Sequence, residues 1–219
     1  MLLSDFFPFW DALPASERSL LERSATLSRA KRGDIIHNGT LDCTGLLLVC
    51  SGQLRAYILS EEGREITLYR LLERDVCLFS ASCMLHSLRF DITIRVEKDA
   101  SFYRIPAETY KTLTDQSAPL ANFTNRIMAS RFTEVMWLME QILWKSFDRR
   151  LAAFLVSESA LEETETLHIT HEEIANHLGT AREVVTRMLH YFQSESLVQL
   201  TRGSIRLLSP TRLEALSDA

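Results

Sequence analysis

The sequence lacks the features that mark membrane and secreted proteins. No apolar run reaches the roughly 18 residues that a membrane-spanning helix needs, and the first ten residues have neither the basic flank nor the cleavage site of a signal peptide. We therefore expect a cytoplasmic protein that does not enter a membrane. The 46% share of hydrophobic residues and the 24% share of charged residues are ordinary for a globular chain, and 219 residues are enough for two folded units.

Cysteine is scarce, and its spacing matches no metal site. The four cysteines are Cys43, Cys50, Cys77 and Cys83. They follow neither zinc-finger spacing nor the Cys-x-x-Cys pattern of redox enzymes, so we expect no metal ligands among them. Buried thiols in a reducing compartment are the simplest interpretation, and redox or thiol sensing stays open as the alternative.

Enzyme motifs are also missing. The chain has no Gly-x-Ser-x-Gly elbow, no phosphate-binding loop and no zinc-binding helix motif. Its histidines form no ligand pattern; they are His37, His86, His168, His171, His177 and His190. We therefore do not expect an enzyme.

Short strand-like runs fill the chain up to about Leu113. These runs are apolar or alternate apolar with polar residues, and they read GLLLVC, QLRAYIL, EITLYRLL and FDITIRV. Turn residues such as Ser51-Gly52 and Lys98-Asp99 separate them. The pattern predicts a small antiparallel sandwich or barrel, preceded by a helix from Ala15 to Leu27.

A long glycine-free segment from Pro119 to Lys145 has apolar residues at heptad spacing. The stepping positions are Met128, Phe132, Val135, Met139 and Ile142. Steps of four and three residues place these side chains on one face of a helix, as in a coiled coil. We predict that this face is the seam between two parallel helices across a dimer axis. A single amphipathic helix packed on its own domain is the alternative.

Two helix-start signals lie ten residues apart in the last third of the chain. Thr170 with Glu173 fits the Thr-x-x-Glu capping box, in which the hydroxyl and the carboxylate satisfy unpaired backbone groups. Thr180 with Glu183 repeats the pattern. Gly179 between them suits the turn after the first helix. The spacing predicts a helix-turn-helix.

The second helix, residues 180–193, has the chemistry of a DNA-recognition helix. Burial of its apolar side leaves four polar residues outward on the first two turns: Arg182, Glu183, Thr186 and Arg187. A guanidinium donates two parallel hydrogen bonds to guanine, and a carboxylate accepts one from cytosine. Arg182 and Arg187 are therefore candidate base contacts, whereas Glu183 could instead serve only as a cap.

A hairpin pattern follows the second helix. The runs LVQL and IRLL flank Thr201-Arg202-Gly203-Ser204, which is typical of a wing that lies over the DNA backbone, with Arg202 at its tip on a phosphate. The predicted DNA-binding set is Thr170, Thr180, Arg182, Glu183, Thr186, Arg187 and Arg202.

Positive charge is scarce in this region. From Ser146 onward the chain has seven arginines, no lysine and eleven carboxylates, a balance of −4. Attraction to phosphates is then modest unless the arginines share one face of the domain. We expect that separation, with four glutamates on another face: Glu158, Glu162, Glu163 and Glu165.

Three features of the chain belong together: the hexapeptide Arg182 to Arg187, the heptad helix before it, and the run GLLLVCSGQLRAYILSEEGREITLY. Their order and spacing resemble the cyclic-AMP receptor protein and fumarate-nitrate regulator (CRP/FNR) family of transcription regulators over nearly the whole chain. The resemblance implies an α+β fold. It comprises an N-terminal antiparallel β-roll of the cyclic-nucleotide-binding-like jelly-roll type (1–114), a long dimerisation helix (115–145) and a C-terminal winged helix-turn-helix (146–219).

The resemblance also implies how such a chain works. It implies a homodimer that binds a palindromic operator in double-stranded DNA, with its two recognition helices in adjacent major grooves about 34 Å apart. A signal received at the β-roll, such as a small-molecule effector, controls the binding. RNA polymerase is a further implied partner.

The chain departs from this family at the effector site. Members that bind cyclic nucleotide have a Gly-Glu pair and an Arg-Ser pair, whereas this chain has the stretch Cys77 to Cys83 and the pair Arg89-Phe90. Val135 and Met136 stand where the cyclic-AMP receptor presents hydroxyls. Cyclic AMP is therefore not the expected effector. Two interpretations of Arg89 remain: it pairs with a small, more apolar acid, or it is a solvated strand residue and the chain binds no ligand. The predicted effector pocket comprises Cys77, Ser80, Ser82, Cys83, Arg89, Val135 and Met136.

An iron-sulfur cluster is not expected either. Family members that hold one have a group of cysteines near the N-terminus, and the first forty residues of this chain contain none. The sequence leaves the cofactor unknown. One alternative function is a thiol or haem sensor that uses Cys77 and Cys83, with His86 nearby. A ligand-binding regulatory module without DNA is another, although the recognition helix disfavours it.

Overall fold

The structure, a computed structural model of the chain, describes residues 1–39, 44–78 and 91–218. The chain divides into two units. One comprises Met1–Leu59 with Leu68–Val135, and the other comprises Ser60–Thr67 with Met136–Ala219. An antiparallel sheet in the first unit and a helix-turn-helix in the second confirm the predicted α+β class. Within the described ranges, no helix combines the length and apolarity needed to cross a membrane.

The first unit begins with helices. Two 3-10 helices, Leu3–Phe6 and Trp10–Ala12, precede helix α1 (Ala15–Ser24). The predicted helix therefore begins at the expected residue but ends three residues before the expected Leu27. The reason is that strand β1 (Thr26–Ala30) pairs antiparallel with a later strand, and such pairing outweighs local helix preference.

The sheet of the first unit is antiparallel. Its strands are β1, β2 (Ile35–Asn38), β3 (Leu46–Leu59), β4 (Glu65–Leu71), β5 (Val76–Cys77) and β6 (Ile92–Ile105). The order is β1-β6-β3-β4, with β2 paired to β6 and β5 paired to β3. The two long strands, β3 and β6, therefore hold the sheet together.

Strands β3 and β6 continue through the two segments at which we predicted turns. Ser51 lies opposite Ser101, and Gln53 lies opposite Lys98, with register shifts between Val49 and Leu54. Extra residues in a ladder are β-bulges, which bend a strand without ending it. Ser51-Gly52 and Lys98-Asp99 thus form paired bends within two continuous strands, and the predicted turns at these positions are wrong.

Among the described residues of the first unit, two apolar clusters form the core. One is built from the sheet and includes Leu47, Val49, Leu54, Ala56, Leu71, Ile94, Val96 and Phe102. The other joins the sheet to α1, α2 (Ala107–Gln116) and the start of α3 (Ala118–Trp144), and includes Leu21, Leu46, Leu48, Ile105, Tyr110, Leu113 and Leu120. Helix α3 occupies the segment for which the heptad pattern predicted a long helix.

The second unit contains the helix-turn-helix. Its elements are α4 (Phe147–Leu161), β7 (Thr166–Leu167), α5 (His171–Leu178), α6 (Arg182–Ser194), β8 (Val198–Thr201), β9 (Ser204–Leu207) and α7 (Pro210–Asp218). The three strands form a small sheet in the order β7-β9-β8. Strand β9 ends at Leu207, and Pro210 begins α7, a helix that the sequence pattern did not predict. Proline suits a first helical position because it has no N–H to satisfy there.

Each of the elements from α4 to α7 contributes to one apolar core. Its buried members include Leu151, Leu155, Leu167, Ile174, Val185, Leu189, Phe192, Val198, Ile205, Leu207 and Leu213. Each large apolar side chain buried in this way contributes about 1.5–3 kcal/mol of hydrophobic free energy. This core holds α5, α6 and the small sheet in fixed relative positions.

Candidate nucleic-acid interface

Helix α5 begins with the predicted capping box. The Thr170 hydroxyl accepts a hydrogen bond from the Glu173 amide at 3.1 Å, and the Thr170 amide donates to Glu173 Oε2 at 2.8 Å. The helix ends at Leu178, and Gly179 follows in the left-handed region at φ +66°. The first helix of the pair and the glycine turn after it are therefore confirmed.

Helix α6 lacks the second capping box, so that prediction is wrong. Its N-cap is Ala181, and no side chain caps the helix. The Thr180 amide instead donates to the Ala175 carbonyl at 3.1 Å. Thr180 therefore still belongs to the turn after α5, and its hydroxyl lies one residue too early to cap α6. As a result, Glu183 is not engaged as a capping partner.

The first two turns of α6 present polar side chains outward. Val185, Leu189 and Phe192 are fully buried on the opposite side of the helix. Arg182, Glu183 and Arg187 are exposed. Among the described residues, the side chains of Glu183 and Arg187 have no hydrogen-bond or ion-pair partner. This face is therefore available to an external ligand.

Thr186, also predicted to contact DNA, has its hydroxyl already engaged. Thr186 Oγ1 donates to the Arg182 carbonyl at 3.0 Å and lies 2.9 Å from His171 Nδ1. Because a hydroxyl has one proton, the arrangement that satisfies both contacts has His171 Nδ1–H donating to Thr186 Oγ1. The start of α5 is thereby tied to the second turn of α6. The sequence offers no clear signal for this role of His171.

The turn between α5 and α6 is packed by two other parts of the second unit. Ile66, from the segment Ser60–Thr67, forms an isolated antiparallel bridge with Leu178. Arg150 of α4 donates to the Leu178 carbonyl at 3.3 Å. These contacts restrain the turn and hence the angle between α5 and α6.

Replacing Gly179 by alanine tests how tightly this turn is packed. A Cβ atom at Gly179 would lie 2.8 Å from Ile66 Cδ1, whereas a Cβ at Gly203 (φ +81°) would meet no atom of the described residues within 4 Å. Both substitutions force alanine into the left-handed region, at a cost of about 1–2 kcal/mol. Overpacking adds about 1–3 kcal/mol at Gly179 alone.

We therefore expect Gly179→Ala to lower the free energy of unfolding more than Gly203→Ala does. Urea denaturation of the two variants beside the original chain measures the difference. Equal losses would mean that Ile66 does not restrain the turn.

Strands β8 and β9 form the predicted wing. The LVQL and IRLL runs pair antiparallel from Val198↔Leu207 to Thr201↔Ser204. Arg202 is exposed in the tip. The Leu200 amide donates to Gln193 Oε1 at 2.9 Å, which ties the wing to α6.

Part of the negative charge of the second unit lies around a groove beside α7. This groove of about 300 Å³ is lined by Glu163, Glu165 and Glu214, among others, and by none of the predicted DNA-binding residues. Of the other two glutamates expected away from the arginines, Glu162 is exposed and Glu158 is buried. Glu163 and Glu165 are thus grouped with α7 rather than with the arginines of α6.

Helix α3 leaves a long apolar stripe exposed. Its members are Phe132, Met136, Trp137, Met139, Ile142, Leu143 and Trp144, and the exposed fraction is 68% for Phe132 and 80% for Trp144. Three predicted seam residues belong to this apolar stripe. The other two, Met128 and Val135, are half-buried, and Met128 packs against the core of α1 and α2. Contiguous exposed apolar surfaces are typical of sites that bind a protein, a membrane or a ligand.

Most of the predicted effector pocket lies outside the described residues: Ser80, Ser82, Cys83 and Arg89. Cys77 ends β5 and is fully buried. On α3, Val135 is half-buried and Met136 is exposed. The structure thus locates three of the seven predicted pocket residues.

Cys77 belongs to a buried polar cluster that the sequence did not reveal. Its sulfur lies 3.8 Å from the Tyr69 hydroxyl, and the Arg131 guanidinium stacks 4.5 Å from the Tyr69 ring centroid. Arg131 Nη1 also pairs with Glu134 at 2.7 Å, and Nη2 lies 3.6 Å from Asp75. These residues come from β4, β5, α3 and a loop, so no local pattern in the sequence joins them.

Burial controls the ionisation of this cluster. It raises the pKa of Tyr69 well above its ordinary value, and the neighbouring Cys77 raises it further. Burial opposes the charge of Arg131, but the pairs with Glu134 and Asp75 and the nearby Tyr69 leave its pKa raised. The cluster therefore holds a neutral phenol against a permanently charged guanidinium.

Comparison with known proteins identifies similar chains. Residues 149–216 match a Crp-like helix-turn-helix domain. A transcriptional regulator of the CRP/FNR family from Eubacterium rectale is 56% identical in its crystal structure, with a TM-score of 0.96 and coverage of 98% of this chain and 100% of that chain. The transcriptional activator protein Anr of Pseudomonas protegens is 27% identical over 195 residues, which cover 85% of this chain and 78% of Anr. The cyclic AMP receptor protein of Thermus thermophilus is 25% identical over 84% of this chain and 83% of its own length.

Proposed function

This chain belongs to the CRP/FNR family of transcription regulators, and from that premise we propose that it binds a palindromic DNA site as a homodimer. Each α6 enters a major groove, and the two grooves lie about 34 Å apart along one face of the duplex. The observation that supports this function is the joint exposure of Arg182, Glu183 and Arg187 on the first two turns of a helix whose other side is fully buried.

Base recognition is assigned to the three exposed side chains. Arg182 and Arg187 donate to guanine, and Glu183 accepts from cytosine; each good pair discriminates by about 1–3 kcal/mol. The lack of a capping role for Glu183 supports its assignment. Arg202 of the wing contacts a phosphate. Thr170 and Thr180 lie at the start of α5 and in the turn after it, and we assign them to the backbone as well.

Dimerisation is assigned to the apolar stripe of α3. In a parallel helix pair, Phe132, Met139 and Ile142 face their copies across the two-fold axis. The exposed Trp137 and Trp144 stand seven residues apart on the same edge of the helix and widen the contact on that side.

Signal sensing is assigned to the β-roll, and DNA binding to the helix-turn-helix. We propose that a signal reaches the β-roll beside the Tyr69, Cys77 and Arg131 cluster, that the effector is not cyclic AMP, and that RNA polymerase is a partner. Relatives that are transcriptional activators support the last assignment. The chain acts in the cytoplasm, where its DNA is, and has no catalytic role.

Selection of DNA from a random duplex pool tests this function. The purified protein should enrich one sequence made of two inverted half-sites whose centres lie about one helical turn apart, and we call this sequence the selected palindrome. Enrichment of a single half-site, of a direct repeat, or of no sequence would contradict a symmetric DNA-binding dimer.

A further inference from the structure

The ring of His171 has one nitrogen committed and one available. Nδ1 holds its proton toward Thr186 Oγ1 at 2.9 Å, because the Thr186 proton is used on the Arg182 carbonyl. The neutral ring therefore has a bare Nε2. No described residue forms a hydrogen bond with Nε2, and the residue is partly exposed. Protonation of the ring converts Nε2 from an acceptor into a charged donor.

The charges of α6 that act on His171 are positive. Arg182 and His190 stand at successive turns of α6 with Thr186 between them, so all three lie along one edge of the helix. On its own helix, the neighbouring carboxylates are the exposed Glu172 and the half-buried Glu173, which is engaged in the cap of α5. An edge with this charge distribution disfavours a proton on His171 in the free protein and attracts a polyanion.

We propose that His171 is a proton-linked contact to the DNA backbone, in which the charged ring donates from Nε2 to a phosphate oxygen while Nδ1–H keeps Thr186 in place. The proposal rests on the DNA-binding function proposed above. In a helix-turn-helix the first helix crosses the backbone while the second lies in the groove. His171 is the first residue of α5 and touches α6, so it lies where phosphate and groove meet.

The sign of the pH dependence follows from the two states. In the free protein, burial lowers the pKa of His171 below its ordinary value, and Arg182 and His190 lower it further. A phosphate beside the ring favours the charged form and raises the pKa in the complex. Between these two pKa values binding takes up protons, so affinity is greatest at low pH and falls as pH rises through the pKa of the complex. A dimer takes up at most two protons this way.

The test measures the affinity of the full-length protein for the selected palindrome from pH 5.5 to pH 8.5 at constant salt concentration. We expect affinity to fall by about tenfold or more across this range. In His171→Asn, an amide nitrogen replaces Nδ1 as donor to Thr186 but cannot take up a proton. This variant should bind at pH 8.5 nearly as well as the original chain and lose most of the pH dependence.

The control is His190→Asn, which changes the other histidine on the same edge. We expect it to keep the pH dependence of the original chain. Three results would overturn the proposal. The affinity of the original chain does not change with pH, His171→Asn keeps the full pH dependence, or His190→Asn alone abolishes it. Absence of sequence-specific binding at every pH would instead refute the DNA-binding function itself, so the two failures are distinguishable.

The phosphate assignment has its own measurement. Duplexes with a single neutral methylphosphonate linkage, placed in turn along each half-site, remove one backbone charge at a time. We expect one linkage to remove the part of the pH dependence that His171→Asn removes. If no linkage does so, His171 does not contact a phosphate.

Discussion

Replacing Arg187 by alanine is expected to weaken binding to the selected palindrome by about 30-fold or more while leaving the fold and the dimer intact. A bidentate arginine-guanine pair is worth about 1–3 kcal/mol, and a symmetric dimer loses two such pairs. A loss of 2 kcal/mol corresponds to about 30-fold in affinity. The fold should tolerate the change because Arg187 is exposed and has no partner among the described residues. Gel-shift titration measures the loss.

The matched control for this change is Arg212→Ala. Arg212 is an exposed arginine of the same unit, on α7, where its Nη1 donates to the Glu195 carbonyl at 3.2 Å near the far end of α6. Removing it changes the net charge by the same amount without touching the proposed recognition face. We expect affinity to change by no more than about twofold, the scale of a single distant charge in salt. Similar losses in both variants would show that net charge, and not the recognition helix, determines binding.

Placing glutamate at Phe132 is expected to convert the dimer into monomers and to abolish tight DNA binding in the same step. Phe132 is 68% exposed in a single chain and lies within the apolar stripe of α3. Two facing carboxylates in an apolar seam lose their hydration and repel each other, at a cost of several kcal/mol. A monomer then contacts one half-site, so the binding free energy of the second half-site is lost. Light scattering should give the mass of one chain, 25.1 kDa.

Thr112→Glu is the matched control for the seam. Thr112 is exposed on α2, outside the apolar stripe of α3, and its hydroxyl donates to the Glu108 carbonyl of its own helix. The same charge added there should leave the dimer intact. A stable dimer in the Phe132 variant, or monomers in both variants, would refute α3 as the dimer contact.

The helix-turn-helix could be predicted from the sequence because its signals are local. The Thr170 to Glu173 box, the turn at Gly179 and the hairpin around Gly203 each depend on a few consecutive residues. The prediction of a second capping box, at Thr180 and Glu183, was wrong because the start of α6 depends on tertiary structure. Packing of Ile66 and Arg150 on the turn accompanies a helix start at Arg182, one residue later than the Thr-x-x-Glu pattern implied.

The features that the sequence did not reveal depend on distant partners. Strand β1 exists because its residues pair with β6, about 70 residues later in the chain. The Tyr69, Cys77 and Arg131 cluster joins three elements, and its members are unremarkable in their own segments. The heptad pattern predicted the exposed apolar surface of α3, but the half-buried Met128 packs against the core, so that surface is centred on Phe132, Met136, Met139 and Leu143.

The proposed DNA recognition requires that Arg187 of α6 contact guanine in each half-site, and one substitution in the DNA tests this requirement. Replacing a single guanine by 7-deazaguanine removes the N7 acceptor of a bidentate arginine contact and leaves base pairing intact. At one guanine of the selected palindrome, this change should weaken binding of the original chain and of Arg212→Ala equally, and should not weaken binding of Arg187→Ala any further. If Arg187→Ala responds to the substitution at every guanine as the original chain does, Arg187 does not contact those bases, and its assignment to base recognition is wrong.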